Sequence, residues 1–517
     1  MKDFPIVVVG TGFSGIAMGV LLKRAGIDSF TILEKAGDVG GTWRENTYPG
    51  AACDIPSYLY SFSFEPKPDW SSTFSPQKEI QAYLRHCVEK YDLARHIQFH
   101  STVTGAEFDA ASGTWTVHVK DREPMQARAL VLGNGALHIA SYPDIPGLEQ
   151  FQGTVFHSAE WNHDYELAGK TVAVIGTGAS SIQFVPEIAR EVGRLHLFQR
   201  TPPWILPKSD RPMRPWEQQL FRLLPPVQWL YRASLYWMLE WRAVGFVVNP
   251  QLMKLVEMFA RKHLATVVDP ALRAKLTPDY TIGCKRVLLS NDYYQALQRP
   301  NVDLVTDGIA SVTADGIRTR DGVERRVDAI ICGTGFAVSD YLARLHVVGR
   351  HGHTLNDSMR ARAGTHLGIT VHGFPNLFLL MGPNTGLGHN SMIFMIEAQA
   401  AYALQAIQAI RQKRLTFLDV LEPVQRAFSS RLQEAFRGSV WNTGCRSWYV
   451  QDGYNSTLWP FFTFQYWWQT RRIALEDYEL VGERAEVEAG RTAIPALRLI
   501  PSDRRGSSAL HGATTRS

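Results

Sequence analysis

The sequence predicts an α/β protein built around two separate parallel-sheet units, with a helical segment inserted in the second. Two observations carry this. Segments 6–33 and 171–198 each read strand, glycine-rich turn, helix, strand, and their strands are the continuous apolar runs of sheets buried on both faces. Residues 212–280 then turn helical and aromatic, interrupted by Pro225, Pro226 and Pro250.

The elements follow in order. Ile6-Val7-Val8-Val9 is the first strand, Ile16, Met18, Leu21 and Leu22 mark a helix, and Phe30-Thr31-Ile32-Leu33 is the second strand. Residues 98–120 alternate apolar and polar (Val103, Phe108, Trp115, Val117, Val119), which predicts an antiparallel meander. Ala129–Leu132 is a buried strand ending in Gly133-Asn134-Gly135. The second unit opens at 171–175 and reaches its next strand at 195–198. Further strands are expected at 302–305 and 327–331, the latter running into Gly333-Thr334-Gly335-Phe336. A long helix is expected over about 391–412, and a Trp- and Tyr-rich stretch runs to 468. The polar tail from about 500 is expected to be disordered.

The chain has 517 residues, which at about 150 per domain suggests two to four domains. Its 45% hydrophobic and 20% charged residues exclude disordered, collagenous and coiled-coil classes. A net charge of +5 without a Lys/Arg block leaves no nucleic-acid footprint. The five cysteines (53, 87, 284, 332, 445) form no CxxC and are odd in number. A disulfide is therefore not expected, no zinc cluster can start, and a reducing, cytoplasmic setting fits. The N-terminal apolar run lacks the basic region of an export signal and reads as a strand. Segment 220–248 is aromatic, but Arg222, Arg232, Glu240 and Arg242 break it, so no membrane span is expected. Helices packed over a core or a substrate channel are the reading taken; an interfacial helix is the alternative.

Gly10-Thr11-Gly12-Phe13-Ser14-Gly15 follows a strand and opens a helix. Such glycines permit a tight turn and close backbone approach to a pyrophosphate, and the helix N-terminus offers it free N–H groups. Glu34 ends the next strand, 24 residues after Gly10, where a carboxylate accepts from a ribose 2′-OH. Gly176-Thr177-Gly178-Ala179-Ser180-Ser181 repeats the arrangement, with Ser181 at the third glycine's position. The same count of 24 from Gly176 lands on Arg200, followed by Thr201. Acid and base in one slot predict two Rossmann-like domains, the first suited to FAD and the second, through Arg200, to the 2′-phosphate of NADPH. Electrons then pass from NADPH to the flavin. With no CxxC relay, oxygen is the expected acceptor.

Further motifs carry a family resemblance over roughly residues 5–480. Phe151-x-Gly153-xxx-His157-xxx-Trp161 resembles the fingerprint of the type I Baeyer–Villiger monooxygenases, departing from it at Asn162, where that family has Pro or Asp. Gly40-Gly41-Thr42-Trp43, Tyr48-Pro49-Gly50 and Asp54 resemble the second fingerprint without departure. Gly283-Cys284-Lys285-Arg286, the Thr334-Gly335-Phe336 turn and Ser447-Trp448-Tyr449 resemble three more family segments. The resemblance implies that FAD, NADPH and O2 convert a hydrophobic ketone to an ester or lactone through a flavin C4a-peroxide. It implies Arg286 as the fixed cation beside the reacting anion and Asp54 as its partner. It places Ser14, Glu34, Thr42, Trp43, Asp54, Tyr60, Val103 and Met392 on the FAD with Gly10, Gly12 and Gly15. On the NADP side it places Gly176, Thr177, Gly178, Ala179, Ser180, Ser181, Gln183, Arg200, Thr201 and Lys285, and it adds Trp448 to the cofactor residues. His157 and Trp161 are read as hinge anchors between domains, and Cys53 as a small filler.

The expected division is an FAD domain in two parts (1–140 and 338–500), an NADP domain in two parts (141–211 and 281–337), a helical insert (212–280) and the tail (501–517). The partners expected are a small ketone and O2, with no nucleic acid and no membrane span, for a monomer or small homo-oligomer. Two rivals stay open. One is an N- or S-oxygenating flavin monooxygenase, toward which Asn162 leans. The other is a non-oxygenating FAD/NADPH redox sensor, against which Arg286 and Asp54 argue.

Overall fold

The computed structural model describes residues 4–338, 345–445, 447, 449–451 and 453–482. Trp448, the tail from 501 and much of segment 338–345 lie outside them. Two five-stranded parallel sheets form the frame. The first runs 377–379, 129–132, 6–9, 30–33, 97–98 across its width. The second runs 302–305, 194–198, 171–175, 329–332, 154–157. In each, the first strand of the unit lies inside the sheet with connections leaving in opposite directions, which opens a crevice at the strands' C-terminal ends. The expected meander is present as 103–109, 114–119 and 125–127, with 346–348 added parallel to its first strand.

Helix α1 (Phe13–Arg24) follows the first glycine turn and α2 (Ser181–Ile188) the second. In the insert, α3 (Pro215–Leu223), α4 (Pro225–Glu240) and α5 (Met253–Leu264) each begin on or near a turn residue; proline supplies the first helical residue of α3 and α4 because its missing N–H costs nothing there. Helix α6 (Met392–Lys413) packs against α1 and α7 (Thr463–Thr470). Ile16, Val20, Ile396, Ala400 and Ala403 belong to one buried cluster; small residues on α6 let the helices approach. Among the described residues α6 alone is long and apolar enough to cross a membrane, and most of that window is buried in protein.

The chain passes between the sheets twice, and the passages pair with each other. Ala140 bridges Phe336, Ser141 N–H donates to the Gly335 carbonyl at 3.0 Å, and Ala337 N–H to that of Ile139 at 3.0 Å.

Two expectations change. Cys284 and Cys445 form a disulfide across 161 residues of sequence, while Cys53, Cys87 and Cys332 are free and buried. Motif spacing cannot detect a bridge between distant loops; only the fold places these Cα atoms 6.3 Å apart. The insert is also only partly packed over the core. Phe221, Leu235 and Leu239 are buried, but Trp229, Leu230, Trp237 and Trp241 are exposed.

Candidate active site

A cavity of about 2350 Å³ touches both glycine turns and is lined from both sheets, the insert and α6. The turns are built alike. Gly10 N–H donates to the Leu33 carbonyl at 2.8 Å, and Gly176 N–H to that of Phe198 at 3.0 Å. Both glycines have positive φ, +93° and +108°. A Cβ on Gly10 would lie 2.9 Å from the Gly133 carbonyl oxygen, and one on Gly176 2.5 Å from that of Gly333. Each turn is thus pressed against the next strand's end, leaving Gly12 and Gly178 on the open side. A Cβ on Gly178 would meet nothing within 4 Å.

Gly15 and Ser181 do not line the cavity. A Cβ on Gly15 would stand 1.8 Å from the Gly10 carbonyl oxygen, so this glycine lets α1 close on the turn. In the second unit Ser181 takes that place, and the room comes from Gly333, whose added Cβ would lie 2.1 Å from Ser181 Oγ. Both residues support the turns from beneath.

Glu34 is buried at the end of its strand. It accepts from Thr11 N–H at 3.0 Å and Thr11 Oγ1 at 2.6 Å, and pairs with Arg44 at 2.9 Å. Arg44 was missed from the sequence; its place directly after Trp43 was the available signal. The register corrects the second unit. Val9 pairs with Leu33 and Ile175 with Phe198, so the residue equivalent to Glu34 is Gln199. The second connection is one residue shorter, and the matched count of 24 residues does not survive. Gln199 is buried and donates to the Lys275 carbonyl at 2.8 Å. Arg200 and Thr201 lie one step further out, on the cavity wall, with Arg200 exposed. Lys285 lies on the same wall, its Nζ 4.6 Å from the Tyr280 ring centre. Burial and then the Arg200 charge lower the Lys285 pKa. Two cations that repel each other on one wall form a site for a multiply charged anion.

Asp54 and Arg286 come from chain positions 232 apart and form an ion pair, Arg286 Nη2 donating to Asp54 Oδ2. Their side chains are 29% and 44% accessible, and that surface faces the cavity. The Asp54 charge raises the Arg286 pKa against the effect of burial. Burial pushes the Asp54 carboxyl up, but the guanidinium outweighs it and the net shift is down. Both groups are therefore charged at neutral pH. Tyr449 is buried nearby, and burial raises its hydroxyl to about 12. Cys53 is held protonated by burial and the Asp54 charge, which removes it as a nucleophile. The Cys284–Cys445 bridge ties the loop carrying Lys285 and Arg286 to the loop carrying Ser447, which also lines the cavity.

Ser14, Thr42, Trp43, Tyr60, Val103 and Met392 line the cavity, as do Thr177, Ala179 and Ser180. Trp43 Nε1 donates to the Tyr60 hydroxyl at 3.2 Å, which locks two rings at its edge. Gln183 reaches the wall, yet its amide is occupied between the units. It accepts from Tyr48 Oη at 3.0 Å and donates to the Ala52 carbonyl at 2.9 Å. A Cβ on Gly50, at φ +76°, would come 2.8 Å from the Gln183 carbonyl oxygen. The Tyr48-Pro49-Gly50 segment thus docks the first unit onto α2.

His157 is buried, with its ring 5.5 Å from Tyr142 and 6.0 Å from Phe336, one on each crossing segment. Burial lowers its pKa. Trp161 packs on Phe156 and Phe184 of the second unit. Asn162 accepts from Asp164 N–H at 3.1 Å in a local turn and does not line the cavity, so the fingerprint's departure sits away from it. The sequence also missed a buried group behind the cavity wall, reaching it through His389 and Asn390. Glu240 accepts from Asn390 Nδ2 at 2.7 Å and from Thr463 Oγ1 at 2.7 Å, with His389 at 3.7 Å. Its members lie about 150 and 223 residues from Glu240, beyond any local pattern.

Residues 4–339 match the family model described as FMO-like, flavin-binding monooxygenase-like. A protein of Pseudomonas aeruginosa named Baeyer–Villiger monooxygenase is 50% identical over 479 residues, 92% of this chain and 91% of that one. The chain belongs to the Baeyer–Villiger monooxygenase family. Solved structures of such monooxygenases share its architecture. Cyclohexanone monooxygenase from Rhodococcus sp. Phi1 bound to NADP+ superposes with a TM-score of 0.84 at 28% identity, covering 92% of this chain and 99% of that one. OTEMO in complex with FAD and NADP superposes with a TM-score of 0.85 at 27% identity, covering 93% and 99%. The Baeyer–Villiger fold of two Rossmann-type domains is therefore the fold seen here.

Proposed function

We propose that this protein is an FAD- and NADPH-dependent Baeyer–Villiger monooxygenase that uses O2 to convert a hydrophobic ketone to an ester or lactone. The observation that carries the reading is the Asp54–Arg286 pair facing a cavity shared by two glycine-turn units. The residues present fit both cofactors: the cradles at Gly10 and Gly176 exclude side chains, and each opens at a helix N-terminus.

Ser14, Glu34, Thr42, Trp43, Asp54, Tyr60, Val103 and Met392 would hold the FAD with Gly10 and Gly12. Thr177, Gly178, Ala179, Ser180, Arg200, Thr201 and Lys285 would hold the NADPH. Bound together, the two cofactors supply the electrons that activate O2. This chain's own residues do the rest. Arg286 holds a permanent positive charge where the reacting oxygen carries negative charge, and its guanidinium does not release a proton at working pH. Asp54 orients it. Trp43, Tyr60 and Met392 keep that region apolar, which strengthens the charge interaction.

We assign 1–140 with 338–500 to the FAD domain, 141–211 with 281–337 to the NADP domain, and 212–280 to the insert. We place the protein in the cytoplasm on its need for NADPH alone, because the Cys284–Cys445 bridge removes the cysteine argument for a reducing compartment. The test is a panel of linear, cyclic, aryl and steroid ketones, with amines alongside, scored by mass spectrometry of the products. Esters or lactones are expected; N-oxides without any ester overturn the reading.

A further inference from the structure

The insert carries an apolar face that the fold leaves uncovered. Leu230, Ser234 and Trp237 on α4 and Trp241 at its C-terminal cap recur at i, i+4, i+7 and i+11, one stripe of the helix, and all are exposed. Trp229 beside them is 67% exposed. The stripe continues onto α7, because the Trp237 ring lies 6.3 Å from Phe464. Phe464, Trp467 and Trp468 are exposed in turn. Five tryptophans and a phenylalanine facing water on and beside adjoining helices far exceed the scattered apolar residues of an ordinary surface.

The charge on the insert from residue 222 to 262 and at the end of α7 is mainly positive. Lys254, Arg261, Lys262, Arg471 and Arg472 are exposed. Between residues 222 and 262 no acid is exposed: Glu240 is buried, and Glu257 is half-buried and paired with Arg261 at 2.8 Å. Exposed acids flank this stretch at Asp69, 3.5 Å from Arg222, at Asp269 and at Glu476. The Arg471 guanidinium lies over the Trp468 ring, 3.2 Å from its centre. Tryptophan with arginine at an apolar–polar boundary suits the headgroup layer of a bilayer, where the ring body is dry and the cation meets phosphate. The face also runs into the cavity, since Trp241, Leu252 and Phe259 are both exposed and cavity-lining.

We propose that this face docks on the surface of an anionic lipid bilayer and turns the cavity mouth toward it, so that apolar substrate enters from the lipid. The docking stands on the exposed face alone; the identity of the substrate as a ketone rests on the function proposed above. The helices lie on the membrane without spanning it, because charged side chains interrupt every apolar run in the insert.

The test uses the full chain with vesicles of phosphatidylcholine alone and with about a third phosphatidylglycerol, read by co-sedimentation. The variant is Trp229→Ser with Trp237→Ser and Trp468→Ser, residues outside the cavity wall. Binding to the anionic vesicles at least about tenfold above the neutral ones, lost about tenfold in the variant, is the expected result. Unchanged NADPH oxidation by the variant shows that it is folded. Absence of wild-type binding to either vesicle, or equal binding by the variant, overturns the proposal. So does a wild-type dimer by light scattering that the variant converts to a monomer without any vesicle binding, because a second copy then covers the face. Ketone conversion is scored separately without vesicles, so failure of the activity and failure of the docking are told apart.

Discussion

Replacing Arg286 by alanine removes the positive charge that the proposed mechanism sets beside the reacting oxygen, while leaving both nucleotide cradles intact. The Coulomb attraction between unit charges ~4 Å apart is about 4 kcal/mol at an effective dielectric of ~20 and about 1 kcal/mol in water. Arg286 keeps 44% of its side chain open to the cavity, so its setting lies between these limits. A midpoint of about 2.5 kcal/mol corresponds to roughly a 70-fold loss of rate. Arg286→Lys keeps a charge but loses the planar fork toward Asp54, so a loss of about tenfold is expected. The assay follows ester by gas chromatography, NADPH by absorbance and hydrogen peroxide by a coupled dye. Arg286→Ala should still consume NADPH, with hydrogen peroxide replacing ester as the product. Thermal unfolding of both variants separates loss of charge from loss of fold. Ester formation by folded Arg286→Ala within threefold of wild type would refute the reasoning.

Arg200→Ala and Lys285→Ala, each made singly, should raise the KM for NADPH by about 10- to 150-fold, a charged hydrogen bond being worth about 1.5–3 kcal/mol, and leave NADH use unchanged; an equal change for both cofactors would count against the 2′-phosphate reading. Thiol titration of the unfolded chain should find Cys53, Cys87 and Cys332 before reduction and all five cysteines after it. Closing a loop of 161 residues stabilises by up to about 5 kcal/mol in the chain-entropy account, so Cys445→Ser should lower the unfolding midpoint; five free thiols in the oxidised protein would remove the bridge. Burial lowers the His366 pKa to about 4. The unfolded chain takes up that proton at about 6.5, so the stability it contributes is complete above 6.5 and lost as pH falls toward 4, about 3 kcal/mol in all. His366→Gln should flatten the urea-midpoint slope in that window, and an unchanged slope would place the titration elsewhere.

Local chemistry made much of the site legible. A tight turn against a neighbouring strand needs Gly10 and Gly176 whatever else the chain does, so these residues announce themselves. Spacing was a poorer guide where a connection changed length: one residue fewer in the second unit moved Gln199, not Arg200, into the position of Glu34. Arg44 escaped notice because its role depends on meeting Glu34, a contact that no periodicity encodes. The exposure of Trp229 and Trp237 was misread for a related reason. Aromatic content tells how much surface a helix can bury, whereas the surface it does bury depends on what lies opposite.

By itself the sequence determined the two glycine-turn units, the parallel strands, the motifs of the monooxygenase family and the residues Asp54 and Arg286. The turns and strands follow from backbone sterics and from runs of apolar side chains, which act over a few residues; Asp54 and Arg286 follow from the family resemblance alone. Only the tertiary structure decided what meets across the chain: Arg286 with Asp54, Cys284 with Cys445, Gln183 with Tyr48, and Glu240 with Asn390 and Thr463. Such contacts depend on the summed packing of whole sheets and helices, in which one residue fewer in a connection changes which side chain stands at a given position, as at Gln199.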